Sequence, residues 1–494
     1  MDEIIRDGIS TDIDDNIKYL KQLLKDNTDI VVREFFVVNV KCCLVYVDGM
    51  GDKNLLDLFV LQPLMRYEGR ALDISIIKDR ITNVSEIAEK NKLSEGIIGV
   101  LSGDTLLLVQ GGSSCLVIGS RLWPTRGIAE PSSETVIKGS REGFSETLRF
   151  NSALIRRRIR DTRLRTEHLF IGRRSKSDTL IVYIQDIVNK EVLSLLKERL
   201  DGIDIDAIFD SGVLEEFLED NKYSPFPQIQ YTERPDVVAA ALYEGRIAVL
   251  IDNTPSALIV PAAMSNLFQS PDDYNGRWLN ASFVRLIRIF SMFLSLVMPS
   301  LYIAVTSFHT YTIPTKLAYS IAATREGVPF PAFVEVILME FFLAMLTEAI
   351  VRLPKPVGAT IGIVGGLIIG QSAVSAGIVS PIMIIIVSVT TISGFLTTNN
   401  DITSAFRFYR YLLIIFSSIA GLYGMVVGLI LLTIQLLQLK SFGVPYMAPA
   451  VNPDISDFKD FLIRLPYVLF RKRPKYMNTG DKMRQKKKGS EGSV

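Results

Sequence analysis

The sequence predicts an α+β, multi-domain membrane protein, with two tandem α/β domains on the cytosolic side followed by an α-helical transmembrane bundle. Three observations predict it. Apolar residues are concentrated after residue 280, in runs long enough to cross a bilayer. The first half repeats one set of strand, helix and hairpin landmarks. Between Gly358 and Ser380, glycine recurs every fourth residue inside an apolar run, as in helices that associate in lipid. The expected divisions are a polar N-terminal segment (1–30), a first soluble α/β domain (31–150) and a second with a basic linker helix (151–280). A helical transmembrane domain (281–440) and a basic cytosolic tail (441–494) follow.

Composition sets the frame. A chain of 494 residues has room for about three domains. A net charge of +1 argues against general nucleic-acid binding. Residues 1–30 are polar and acid-rich (Asp2, Glu3, Asp7, Asp12, Asp14, Asp15), unlike a signal peptide. Cys42 and Cys43 are adjacent, so on a strand they face opposite ways, and with Cys115 they make no disulfide framework. They read as small buried hydrophobes on the reducing side of a membrane. Only His168 and His309 supply imidazoles, and no cysteine–histidine cluster has metal-ligand spacing. Without a Walker loop or a G-x-S-x-G elbow, no enzyme, metal or cofactor is expected.

In chain order, Lys41 to Val47 reads as a strand ending in the turn Asp48-Gly49, and Leu55 to Met65 as a helix. Val84 to Leu101 reads as a second helix, and Thr105–Val109 with Cys115–Ile118 as a hairpin across Gly111-Gly112. The order then returns: strand Leu180–Ile184, helix Lys190–Leu200, helix Pro235–Glu244, and a hairpin of Arg246–Ile251 with Ala257–Val260. Val45-Tyr46 matches Val182-Tyr183, Gly103 matches Gly245, and Leu116–Ile118 matches Leu258–Val260, a period of roughly 140 residues that fits tandem domains rather than a solenoid. Between the halves a basic helix, Asn151 to Arg165, carries Arg156, Arg157, Arg158, Arg160, Arg163 and Arg165, with Arg173 and Arg174 beyond. Its charge suits either acidic neighbours or an anionic membrane lipid.

The apolar half opens after Trp278 and the cationic Arg285 and Arg288, with Ile289–Phe308 as the first span. Phe333–Ile350 is the second, and it contains Glu335, Glu340 and Glu348, costly inside lipid unless paired or wet. Glu348 has Arg352 one turn on. Gly358–Leu396 reads as a tight pair of spans turning near Gly377, or one span and a broken segment; Tyr411–Leu437 is the last span. Basic residues place Arg352/Lys355, Arg407/Arg410 and the Arg471–Lys488 tail on the cytoplasmic side. Five full crossings would then strand the tail outside. One piece between Phe330 and Gly377 is therefore expected not to cross, and the tail beyond Gly480 to be disordered.

Gly358, Gly362, Gly366 and Gly370 fall on one helix face, drifting about 40° per step. Gln371, Ser372 and Ser375 follow, polar groups that are costly facing lipid and acceptable facing protein or water. Two readings fit: a side-chain-free groove for close helix packing, or a pore wall with room for water and ions.

Several motifs resemble those of one family, the A subunits of GerA-type germinant receptors of endospore-forming bacteria. They are Ser224–Gln228 (SPFPQ), Thr232–Asp236 (TERPD), Asp252–Pro261, Gln269–Tyr274 (QSPDDY), Arg325–Pro331 (REGVPFP), Leu353–Gln371, Phe442–Tyr446 (FGVPY) and Arg464-Leu465-Pro466. One stretch departs: where the family usually reads ELLREAG, this chain has Ala344 in place of a glutamate and Thr347 in place of an arginine. The resemblance implies a multi-pass protein of the spore inner membrane, its N-terminal domains and tail facing the core. It implies partnership with a transporter-like B subunit and a lipoprotein C subunit. It also implies self-assembly into a ring, expected as a pentamer, that conducts cations when germinant binds. The SpoVAF-type amplifying ion channel is the alternative within the resemblance. A secondary transporter is the alternative outside it, though no internal repeat is legible between 285 and 440.

Overall fold

A computed structural model describes residues 5–69, 72–122, 130–131, 134–451 and 457–485. Its first half contains two five-stranded sheets. One is built from β1 (Ile30–Val37), β2 (Val40–Val47), β3 (Ile87–Lys90), β4 (Thr105–Val109) and β5 (Cys115–Ile118) in the order β1-β2-β4-β5-β3. The other has β6 (Leu164–Ile171), β7 (Ser177–Ile184), β8 (Gln230–Thr232), β9 (Ile247–Ile251) and β10 (Ala257–Val260) in the order β6-β7-β9-β10-β8. The two orders are the same, and every strand pairing in them is antiparallel. The matched glycines have one job: Gly103 (φ +97°) and Gly245 (φ +87°) each turn the chain two residues before the central strand, a conformation that favours glycine.

Each sheet is covered on both faces, so its central strands are apolar throughout rather than alternating. Cys43, Val45 and Leu106 pack beneath the helices Ile13–Leu23 and Leu93–Leu101, while Cys42, Leu44 and Leu107 meet Leu56, Val60 and Ile77 on the other face. The two cysteines do face opposite ways.

The structure corrects several expectations. Residues 1–30 are not merely polar: Ile13, Ile17, Leu20 and Leu23 are buried at helical spacing in the first core, on a helix whose outer face carries Asp14, Asp15, Lys18 and Lys21. Val84–Leu101 is a short strand, β3, then the Leu93–Leu101 helix, and the flanking edge strands β1, β6 and β8 were not legible. The basic stretch is a helix from Leu148 to Arg158 followed by β6, not one helix to Arg165. Its arginines are largely taken up by neighbours: Arg156 by Asp29, Arg157 and Arg158 by Glu142, Arg163 by Asp161 and Asp186, and Arg165 by Gln185. Little of that charge is left for a lipid phosphate.

The second half is a bundle of helices: Trp278–Ile303, Ala332–Arg352, Lys355–Ser375, Pro381–Phe395 and Asn400–Gln438, with Thr315–Arg325 outside the main run. The chain turns at Gly377 (φ +66°), as one of the two sequence readings has it. By length and composition two helical stretches among the described residues could cross a membrane, Trp278–Phe308 and Asn400–Gln438. The second is not straight. Ala420 and Gly421 leave helical geometry, and Tyr409 hydrogen-bonds Gln435, 26 residues on. The expected last span, Tyr411–Leu437, is therefore one and a half arms of a helical hairpin that begins and ends beside the second sheet domain.

Packing shows the direction of each helix. Phe226 of the second domain stacks on Tyr409 at 5.3 Å and meets Phe406 edge-on at 5.4 Å, near the start of the hairpin. Ser441, just past its end, donates to the Gln228 carbonyl at 2.6 Å. The hairpin tip at Gly421 lies against Phe308 and His309, at the far end of the helix that begins at Trp278. The tail then returns: Gly480 N donates to Ile187 O at 3.0 Å, so residues to 485 are folded onto the second domain. Residues 486–494, including the end of the Arg471–Lys488 stretch, lie outside the described residues.

Candidate functional site

The bundle's buried charges form its most distinctive chemistry. All three glutamates of the second bundle helix have partners, each of a different kind. Glu335, 1% exposed, accepts from the Ser380 amide at 2.9 Å and faces Arg325 at 3.2 Å. Glu340 meets Arg410 of the hairpin at 2.9 Å, and Arg410 also donates to Ser295 Oγ at 3.1 Å. That pair ties three helices together in the interior. Glu348 is bound by Arg352 through Nε (2.8 Å) and Nη2 (2.6 Å), but both side chains are mostly exposed, 64% and 77%.

A cavity of about 30 Å³ lies beside Glu340, lined by Ala344, Thr347, Thr390, Thr391, Arg407 and Arg410 among others. It has room for water. Glu340 Oε1 and Arg410 Nε have no hydrogen-bond partner among the described residues. Ala344 and Thr347 thus sit at the wall of this cavity. Arg325 and Arg410 are partners that the sequence does not reveal: a carboxylate inside an apolar run demands a cation at the same depth, but Arg410, expected on the cytoplasmic side, is buried against Glu340.

The glycine stripe divides. A Cβ on Gly358 would lie 2.9 Å from the Ile350 carbonyl oxygen, and one on Gly362 would lie 3.0 Å from Ile350 Cδ1. Gly365, outside the four-residue series, comes as close to Leu346, at 3.0 Å. These close approaches are to the neighbouring helix of the same chain. At Gly366 and Gly370 the nearest atoms are 3.9 and 3.8 Å away, ordinary contact. Gln371, Ser372 and Ser375 are exposed, as are Ile363 and Leu367 on the same helix. Packing within the chain accounts for the first half of the stripe only.

The junction between the second domain and the bundle is the other ordered polar site. Arg285 and Arg288, expected at a membrane boundary, are buried and converge on Asp273, at 3.0 and 3.1 Å; Arg285 also reaches Asp460 at 2.9 Å. Asp273 itself is placed by a capping box with Ser270, which explains the spacing in QSPDDY. Arg234 of TERPD is fully buried, donating to Asp236 and to the Glu134 and Ser140 carbonyls. Arg464 stacks over Tyr467 at 4.6 Å. No group of three or more His, Cys, Asp or Glu able to hold a metal occurs among the described residues.

Two antiparallel sheets of one topology, followed by an apolar helical bundle with internal charge pairs and an entry held by buried arginines, define an α+β protein. The chain belongs to the Bacillus/Clostridium GerA spore germination protein family, which matches residues 18–476. It is 39% identical over 488 residues to spore germination protein B1 of Bacillus subtilis, covering 97% of this chain and all of that one. It is 38% identical to spore germination protein GerLA of Bacillus cereus, covering 94% of this chain and 95% of that one. Spore germination protein KA of Bacillus subtilis is also 38% identical, over 97% of this chain and 89% of its own. Among solved structures, the N-terminal domain of the A subunit of the Bacillus megaterium spore germinant receptor GerK3 aligns with 53% of this chain and 98% of its own, at 29% identity and a TM-score of 0.39.

Proposed function

We infer that this chain is a subunit of a nutrient germinant receptor that triggers spore germination, working as a homo-oligomeric, ligand-gated cation channel of the spore inner membrane. The observation that carries the germination role is family membership across nearly the whole length. The channel reading is supported by the exposed face that Gln371, Ser372 and Ser375 form at the end of the glycine-rich helix, polar groups that a single chain leaves uncovered. In a ring of copies, expected as a pentamer, that face borders water. B and C subunits complete the assembly, and the chain has no catalytic role.

The bundle suits a multi-pass arrangement. Counting the hairpin arms separately, six helical segments alternate in direction, so both sheet domains and the tail share one side, the spore core. The piece that breaks the odd count of spans is the Tyr411–Leu437 run, rather than one between Phe330 and Gly377.

Single-channel recording on the purified protein in planar bilayers tests the reading. Cation conductance that falls in Gly366→Leu while the oligomer persists supports a pore wall. Loss of the oligomer supports close packing between copies. Unchanged assembly and conductance would remove the stripe from the mechanism. Spores lacking the chain should lose potassium release to at least one nutrient; a full response to every nutrient tried argues against the receptor role.

A further inference from the structure

A cavity of about 250 Å³ lies where the second sheet domain, the segment before the bundle and the C-terminal tail meet. Its walls include Arg246 and Glu244 from the domain, Tyr274 from the segment before the bundle, and Tyr467, Phe470 and Arg484 from the tail. The tail is held over it by Arg473, which donates to the Tyr243 carbonyl at 2.8 Å and pairs with Asp481 at 2.9 Å.

Arg246 is 3% exposed. Its Nε donates to the Pro261 carbonyl at 2.8 Å and its Nη1 to Gln230 Oε1 at 2.7 Å, while Nη2 is buried without a hydrogen-bond partner. A guanidinium presents five donors in a fixed fork, and leaving one buried and unmet is costly. The acids nearby are otherwise engaged. Asp236 is held by Arg234 at 2.8 Å, Glu134 receives the Thr232 hydroxyl and the Glu233 amide, and Glu244 faces Arg484 at 3.8 Å. Burial also pushes the Glu134 and Glu244 carboxyls above their ordinary range, which weakens their opposition to an incoming anion. Arg246 is thus a cation whose hydrogen bonds all go to neutral oxygens, with Glu244 acting on it only through space, on a cavity whose other walls include aromatic rings.

We propose that this cavity binds a small monocarboxylate with an apolar or aromatic body, its carboxylate on Arg246 Nη2 and its body against Tyr274, Tyr467 and Phe470. Such a ligand bridges domain, bundle entry and tail, so its occupancy bears on how the tail sits. The proposal is independent of the germination role.

Benzoate is the probe, benzamide its neutral counterpart, and the readout is thermal unfolding of the full chain in lipid nanodiscs. Benzoate should raise the midpoint saturably and benzamide should not. Arg246→Gln should abolish the shift. Because that variant also loses structural hydrogen bonds, Ala240→Trp serves as a second test: its ring fills the cavity from the rim and should likewise abolish the shift, measured against its own unliganded midpoint. No shift with benzoate (water alone meeting Arg246), an equal shift with benzamide, or a shift retained in Ala240→Trp would each overturn the assignment.

Discussion

Glu340 and Glu348 lie two turns apart on one helix, yet their surroundings assign them opposite weights. Glu340 is 4% exposed and paired with a buried arginine, so Glu340→Gln strands Arg410 in the bundle interior. Breaking such a pair costs about 3–5 kcal/mol, and the double change with Arg410→Gln should recover much of that. Glu348→Gln, in an exposed i,i+4 pair, should cost at most about 1 kcal/mol. A double-mutant cycle by chemical unfolding in nanodiscs checks both; simple additivity at Glu340 and Arg410 would disprove the coupling. In the soluble half, Asp29 is the titrating counterpart. Burial alone would raise its carboxyl, but the charge and hydrogen bond of Arg156, with Thr166 and Ser152, bring it below the ordinary aspartate range. Its contribution is therefore present above the unfolded value of about 4 and is lost as pH falls through the lower folded value. Wild type should lose stability across that acid window, and Asp29→Asn should start less stable and lose less. An unchanged pH profile in the variant would show that Asp29 is not the group responsible.

At the scale of elements, the hairpin after Asn400 rests on Gly421, Gly424 and Gly428. Gly421 (φ +59°) makes the reversal, a Cβ on Gly424 would collide with the Phe416 carbonyl oxygen on the opposite arm, and one on Gly428 would lie 2.5 Å from Leu413 Cδ2. Close backbone approach of two apolar helices requires these small residues. Gly424→Leu should therefore open the hairpin and sharply lower the yield of folded protein, whereas Gly366→Leu, with 3.9 Å to its nearest neighbour, should leave the fold of the single chain intact. Limited proteolysis near residue 420 reads the difference; equal protection of both variants would contradict the hairpin geometry.

At the scale of the molecule, the hairpin places Tyr423 at the end of the bundle opposite the sheets. A cysteine at Tyr423, in the chain expressed in a cell membrane, should label only from the side away from the sheets; labelling only from the sheet side would exclude six crossings. Cys42 cannot serve for such mapping, because it is fully buried and burial pushes its thiol up to about 12. A soluble fragment should also begin earlier than residue 31. One spanning 5–276 keeps the Ile13–Leu23 helix and should give a monodisperse, cooperatively unfolding protein, while 31–270 exposes the surface which that helix covers.

The sequence by itself determined the two apolar sheet cores, their recurrence, the left-handed glycines and the positions of the bundle helices, because each is a local pattern of side-chain periodicity or backbone conformation. It also determined the family, since SPFPQ, TERPD and QSPDDY turn out to be caps, stacked rings and buried arginines whose spacing is fixed by the chain. Only the tertiary structure decided the rest. Edge strands such as β1 and β8 lack a sharp period, and a hairpin of two apolar arms reads as one long span when its turn is a single glycine. Which arginine meets Glu335 or Glu340, and that Arg246 is left with an unmet donor at a cavity wall, depend on residues far apart in sequence brought to one depth. Pairing of that kind is set by three-dimensional distance, which composition and spacing do not encode.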